Sequence, residues 1–127
     1  KAGLLGVSGL SADMRDLLAR EATSPDAARA VQLFCYQARK HLGALAAALG
    51  GLDTLVFTGG IGEHAATIRA RICERLEFLG VSLNEARNAA HGPIISPDGG
   101  RVTVRVIPTD EERMLSRHAA AIVGSEQ

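Results

Sequence analysis

The chain has 127 residues, of which 46% are hydrophobic and 22% charged, and its 14 basic residues balance its 14 acidic ones. This length and apolar content suit one globular domain with a real core. A net charge of zero gives no indication of nucleic acid or of a membrane surface as a partner. The longest nearly uncharged stretch, residues 42–52, is too short to span a bilayer.

The start of the chain and the two cysteines indicate the expected cellular compartment. No segment resembles a signal peptide. Cys35 and Cys73 both lie within helical periodicities, where a free cysteine behaves as a small buried hydrophobe. We therefore expect a reduced, cytoplasmic protein. Because the first residue is Lys1 rather than methionine, we also expect the chain to be a piece of a longer one.

The first part of the chain is predicted to be a loop followed by two helices. Residues 1–11 are broken by glycines and are predicted to be loop, and Ser11 fits the N-cap of a helix over residues 12–23. Ser24 and Pro25 fit the cap and first position of a long core helix that ends at Gly50. Its apolar residues recur every three or four positions: Ala27, Ala30, Val31, Phe34, Cys35, Ala38, Leu42, Leu45, Ala46 and Leu49.

A strand, a glycine turn and a helix follow one another in residues 53–79. The apolar run at 55–57, flanked by Thr54 and Thr58, is typical of a strand buried on both faces of a parallel sheet. After the glycines, apolar residues at helical spacing predict an amphipathic helix. A glycine turn in this place lets backbone N–H groups approach a phosphate. Taken alone, the pattern fits a simple tight connection equally well.

The last part of the chain is predicted to form a short helical turn, a strand and a terminal helix. Residues 85–91 are polar and alanine-rich, which favours a single turn of helix. Valines alternate with polar residues over 101–107, which predicts a strand of period two. Thr109 and Glu112 fit a capping box, and the apolar residues up to Val123 predict a helix to the end of the chain.

The two predicted strand ends suggest a binding site. In an α/β domain with parallel strands, the segments 58–63 and 108–112 leave the sheet at one edge. Backbone N–H groups would then lie beside carboxylates, which suits a nucleotide with its Mg²⁺ ion. Since the capping box uses Glu112, Glu111 is the candidate metal ligand. The alternative is that both carboxylates only favour the start of the helix.

Three motifs in this order resemble the carboxy-terminal part of the acetokinase family, which belongs to the sugar-kinase, heat-shock-protein and actin superfamily. They are SGLSADMRD at 8–16, FTGGIGE at 57–63 and IPTDEE at 107–112. The resemblance implies an α/β fold of the actin-like ATPase (ribonuclease H-like) class, in the carboxy-terminal half of a two-domain kinase. Residues 1–127 would form a single nucleotide-binding domain, a fragment of a longer acetokinase chain.

The family also implies an activity, which is reversible phosphoryl transfer from ATP to acetate, giving acetyl phosphate and ADP, with Mg²⁺ as cofactor. It implies a homodimer, and it implies that the catalytic groups lie upstream in the missing amino-terminal domain, so that this fragment contains none and is inactive alone. By resemblance, the adenosine pocket takes Asp13, Met14 and Arg15. The nucleotide contacts are Gly60, Ile61, Gly62, Glu63 and His64, and the magnesium ligand is Glu111.

Two departures from the family pattern keep other hypotheses open. His64 and Asp110 stand where the family commonly has asparagine, which puts a side-chain role for His64 in doubt. These residues favour a non-catalytic nucleotide-binding or assembly module as one alternative. Another is a kinase of the same family that acts on propionate or butyrate, because the carboxylic acid pocket lies outside this sequence.

Overall fold

The computed structural model describes residues 3–7, 12–59, 65–107 and 119–124. The helices are α1 (Ala12–Arg20), α2 (Pro25–Leu49), α3 (Ala66–Cys73) and α4 (Glu85–Ala89), with a 3₁₀ turn at Glu77–Leu79. The strands are β1 (Gly3–Val7), β2 (Thr54–Thr58), β3 (Thr103–Ile107) and β4 (Ala119–Gly124). The predicted α/β class is confirmed.

The strands form one parallel sheet in the order β1-β4-β2-β3. Thr58, the last residue of β2, pairs with Ile107, the last residue of β3. At the other side, Val7 of β1 pairs with Gly124 of β4. All four carboxyl ends therefore lie along one edge of the sheet.

The main core lies between one face of the sheet and the helices. Leu55 and Phe57 of β2 and Val104 of β3 are fully buried there, against Leu42 of α2 and Ile72 of α3. On the opposite face, Val56 and Ile107 form a second buried cluster. Strand β2 is thus buried on both faces, as its unbroken apolar run predicts.

Local capping signals account for the bounds of α2. Ser24 is its N-cap, and the Ser24 hydroxyl accepts a hydrogen bond from the Ala27 N–H at 3.1 Å. Pro25 occupies the first turn, where its missing N–H costs nothing. Gly50 ends the helix with φ of 82°, a conformation that glycine adopts without strain. The predicted long helix is confirmed at both ends.

Two predictions near the chain ends are wrong. Residues 3–7 form a strand rather than a loop, and residues 119–124 form a strand rather than the end of a helix. Strand β4 lies between β1 and β2, so both of its backbone edges are paired. The β-branched residues Ile122 and Val123 suit that position, and non-local pairing outweighs the helical spacing. The predicted cap at Thr109 lies outside the described residues.

The helix after the glycine turn is shorter than its apolar spacing predicts. Helix α3 ends at Cys73, and the 3₁₀ turn over residues 77–79 follows it. Leu76, just before that turn, is still buried and belongs to the main core. Gly80, in the left-handed conformation with φ of 92°, then caps the turn by donating its N–H to the Glu77 carbonyl.

None of the helices in the described ranges combines the length and apolar character needed to cross a bilayer.

Candidate functional site

The candidate site is the edge of the sheet where β2 and β3 end side by side. Thr58 and Ile107 are paired in adjacent parallel strands, and Gly59 turns the chain out of β2 with φ of 73°. The predicted nucleotide residues Gly60, Ile61, Gly62, Glu63 and His64 lie outside the described residues, as does the predicted metal ligand Glu111. The structure thus describes the strands that carry these segments.

The third predicted segment begins at the same edge. It follows β1, whose last residue, Val7, lies at the carboxyl end of the sheet. Asp13, Met14 and Arg15 fall in the first turns of α1. Met14 is only 5% exposed and packs in the main core, whereas Arg15 is exposed. Of these two side chains, Arg15 is therefore the one that a nucleotide could reach.

A buried hydroxyl at this edge has no hydrogen-bond partner. Thr58 is fully buried, and within the described part of the chain its Oγ1 neither donates nor accepts. Arg105 Nε, on the same face of the neighbouring strand, is also buried and has no partner among the described residues. Buried polar groups are almost always paired, so a hydroxyl with no partner among the described residues distinguishes this edge of the sheet. A hydroxyl suits both a phosphate oxygen and Mg²⁺, which prefers hard oxygen ligands.

The beginning of α3 is fixed by a buried arginine and its partners. Arg69 is fully buried, and its guanidinium donates to Asn88 Oδ1 at 2.7 Å and to the Asn88 carbonyl at 2.8 Å. Asn88 Nδ2 in turn donates to the Ala66 carbonyl at 2.8 Å. Burial lowers the pKa of Arg69 to about 10, so the side chain keeps its charge at neutral pH. A further contact joins Arg69 Nη2 to His91 Nδ1 at 2.7 Å.

The end of α3 is fixed by a second set of contacts. Arg71 forms a two-point ion pair with Glu21, at 2.5 and 3.0 Å. Its guanidinium holds the pKa of the Glu21 carboxyl below its ordinary value. Arg39 of α2 donates to the Arg71 carbonyl at 2.9 Å, which places a cation at the negative end of the helix. Helix α3 is therefore held at both ends.

A cleft of about 360 Å³ lies between α3 and α4, and it differs from the predicted site. Its lining includes three acidic residues, Glu74, Glu77 and Glu85, together with the buried Cys73. Burial raises the pKa of that thiol to about 12, which leaves it protonated and unreactive. No group of three or more His, Cys, Asp or Glu side chains that could hold a metal occurs in the ranges that the structure describes.

Comparison with known proteins decides the family. The model of the acetokinase family matches residues 1–117. This chain belongs to the acetokinase family. An acetate kinase of Rhodopseudomonas palustris is 54% identical over 121 residues, covering 93% of this chain and 30% of that protein. An acetate kinase of Phocaeicola vulgatus is 49% identical over 126 residues, covering 97% of this chain and 32% of that protein.

Solved acetokinase structures have the same fold. The crystal structure of Porphyromonas gingivalis acetate kinase superposes with a TM-score of 0.71 at 40% identity, covering 85% of this chain and 28% of that one. A propionate kinase from Francisella tularensis superposes with a TM-score of 0.70 at 33% identity, covering 84% of this chain and 28% of that one. The chain thus spans about a third of the length of its acetokinase relatives.

The contacts between Arg69 and Asn88, which fix α3, could not be predicted from the acetokinase motifs. Arg69 lies among the apolar residues of the predicted helix, where an arginine carries no local signal of burial. Asn88 lies in a polar segment 19 residues later. Only the packing of α4 on α3 brings the two together.

Proposed function

We propose that this chain supplies the nucleotide and magnesium half of the active site of an acetate kinase, which transfers a phosphoryl group reversibly between ATP and acetate. The observation that carries the proposal is the pairing of Thr58 with Ile107 at the carboxyl edge of the sheet. Because these two residues are adjacent, the glycine segment (residues 60–64) and the segment that carries Glu111 leave the sheet from neighbouring positions. Ligands of open α/β sheets bind at this edge.

Chain length limits how far the two segments can diverge. Glu111 comes four residues after Ile107, and four residues of chain span at most about 14 Å. Gly60 comes two residues after Thr58, which allows about 7 Å. The pairing of β2 with β3 therefore brings together two segments that are almost fifty residues apart in the sequence. This supports a shared site, because a nucleotide and its ion need both segments at once.

The proposed roles follow the chemistry of each segment. Residues 60–64 offer backbone N–H groups to the phosphates, and Arg15 with its neighbours Asp13 and Met14 borders the adenosine. Glu111 would hold Mg²⁺, which neutralises charge on the polyphosphate when bound. The buried Thr58 hydroxyl, which has no partner among the described residues, supports a polar ligand at this edge.

The proposal extends to the architecture of the whole protein. We place residues 1–127 as a single domain of the actin-like ATPase (ribonuclease H-like) class, in the carboxy-terminal half of a two-domain kinase that forms a homodimer. The parallel sheet with its helical layer supports this placement, as does the limited share of each relative that the chain covers. The groups that grip acetate would come from the amino-terminal domain.

Substitution of Glu111 tests the magnesium role. In the complete kinase, Glu111→Ala should lower the magnesium-dependent rate of acetyl phosphate formation about 100-fold or more, since a lost metal ligand removes charge stabilisation in the transition state. The matched control is Glu112→Ala, which removes the neighbouring carboxylate assigned to the capping box and should keep most of the rate. A near-normal rate for Glu111→Ala would remove this residue from the site.

A second candidate function concerns the acceptor. The likeness to a propionate kinase supports a longer carboxylic acid as substrate. Rates of the complete protein with acetate, propionate and butyrate at equal ATP decide between them, and acetate should give the highest kcat/KM. The isolated chain should show no turnover with any acceptor, and turnover would contradict the upstream location of the catalytic groups.

A further inference from the structure

The glycine segment of the proposed site is continuous with α3. Helix α3 begins at Ala66, two residues after His64, the last residue assigned to the nucleotide. Ala65 at the junction is 4% exposed and packs in the main core. Whatever fixes the first turn of α3 therefore fixes one end of the glycine segment.

Asn88 contacts that first turn at two levels. Its side-chain amide donates to the carbonyl of Ala66 at 2.8 Å, and its Oδ1 accepts from Arg69 Nε at 2.7 Å. The Asn88 side chain is buried, with 6% of the residue exposed. The NH₂ group and the oxygen of one side-chain amide thus both form hydrogen bonds with α3. Only an asparagine-like group can donate and accept in this way.

Asn88 is itself connected to β3. It lies in α4, which Asn84 caps by accepting from the Arg87 N–H at 2.9 Å. The Asn84 N–H donates to the Ile95 carbonyl at 2.7 Å, and the Ile95 N–H donates to the Val104 carbonyl at 2.9 Å. Val104 belongs to β3, the strand from which the Glu111 segment departs.

We propose that Asn88 is a positioning residue, which holds the start of α3 in register with β3 so that the glycine segment and the Glu111 segment meet the same nucleotide. This inference rests on the proposed function. The proposed role requires no contact of Asn88 with nucleotide or metal, since Asn88 acts through Ala66 and Arg69. Its loss should weaken nucleotide binding more than it weakens the fold.

Asn88→Asp tests the donor half of the contact in the complete kinase. The aspartate keeps an acceptor for Arg69, but it cannot donate to the Ala66 carbonyl and places an oxygen against it. We expect the dissociation constant for ADP, measured by titration calorimetry, to rise about tenfold, which corresponds to ~1.4 kcal/mol. The KM for ATP should rise in parallel, while the KM for acetate should stay within about twofold.

Arg39→Met is the matched control. Arg39 also donates to a backbone carbonyl of α3, that of Arg71, but at the far end of the helix. This variant should lower the melting temperature as much as Asn88→Asp does and leave ADP binding unchanged. Should Asn88→Asp fail to fold, Asn88→Ala, which removes both the donor and the acceptor of the side chain, replaces it with the same expected result.

The outcomes separate this inference from the proposed function. ADP binding by the Asn88 variant that equals the wild type overturns the positioning role alone. Equal weakening by Arg39→Met overturns it as well, because the effect would then reflect general stability. A wild-type protein that binds no ADP overturns the proposed function and this inference with it.

Discussion

Thr58→Val should stabilise the free protein and weaken its binding of nucleotide. The substitution exchanges a buried hydroxyl for a methyl group of nearly the same size in the last position of β2. Thr58 is fully buried, and its Oγ1 has no partner among the described residues. Valine is a strong strand former, so the backbone of β2 has no reason to change.

The magnitude comes from the cost of burying an unpaired polar group. An unsatisfied buried hydroxyl costs about 1–3 kcal/mol relative to one that keeps its hydrogen bonds. Thr58→Val removes that penalty, so the free energy of unfolding should rise by about 1 kcal/mol or more in the absence of ligand. In the proposed site the Thr58 hydroxyl donates a hydrogen bond to the nucleotide. Thr58→Val lacks this bond, so its affinity for ADP should fall about fivefold to tenfold.

Urea unfolding with and without ADP measures both effects. The matched control is Thr54→Val, which changes the same residue type on the same face of β2 but at the amino end, where the side chain is half-buried. It should change neither stability nor ADP binding by much. A free Thr58→Val protein that is less stable than the wild type would refute the reasoning, because it would show that the hydroxyl is paired. Unchanged ADP binding would remove Thr58 from the site.

Two further perturbations test local features of the fold. Gly80→Ala should destabilise the protein more than Gly99→Ala does. Both glycines have positive φ, 92° and 79°. A Cβ at Gly80 would lie 2.7 Å from Arg101 Nε, whereas a Cβ at Gly99 would have no atom within 4 Å. Equal losses in urea unfolding would show that Arg101 yields freely. Glu21→Gln should cost stability at neutral pH, where Arg71 favours the ionised carboxylate. Because the folded-state pKa of Glu21 is lowered, this difference should begin to shrink as pH falls below the unfolded-state value of about 4.3. It should disappear at a still lower pH, where the carboxyl protonates in the folded protein, and its persistence there would contradict the ion pair.

Elements with local signals were predictable from the sequence. Helix α2 carries its own boundaries in Ser24, Pro25 and Gly50, and each acts within one turn of its position in the chain. Strand β2 carries an apolar run, flanked by threonines, that is typical of a strand buried on both faces. The strand at 103–107 follows from its alternating valines.

Elements that depend on distant partners were not predictable. Strand β4 has the apolar spacing of a helix and becomes a strand because β1 and β2 pair with both of its edges. Strand β1 is rich in glycine and has no alternation, so it reads as loop in isolation. The Arg69–Asn88 contact joins two residues of different elements, and nothing local to either one predicts the other.

The correction at β1 strengthens the proposed site. With a loop in this place, the segment with Asp13 and Arg15 had no fixed relation to the two predicted strand ends. With β1 in the sheet, all three segments of the acetokinase motifs depart from one edge, in the spatial order β1-β4-β2-β3. Adjacent strands lie about 4.8 Å apart, so the end of β1 lies about 10 Å from that of β2 and about 14 Å from that of β3. The proposed roles of the three segments, which are to bind adenosine, phosphates and metal ion, follow the same order as these groups along a nucleotide. The proposal is therefore of one nucleotide that lies across the edge, rather than of separate sites for phosphate and metal.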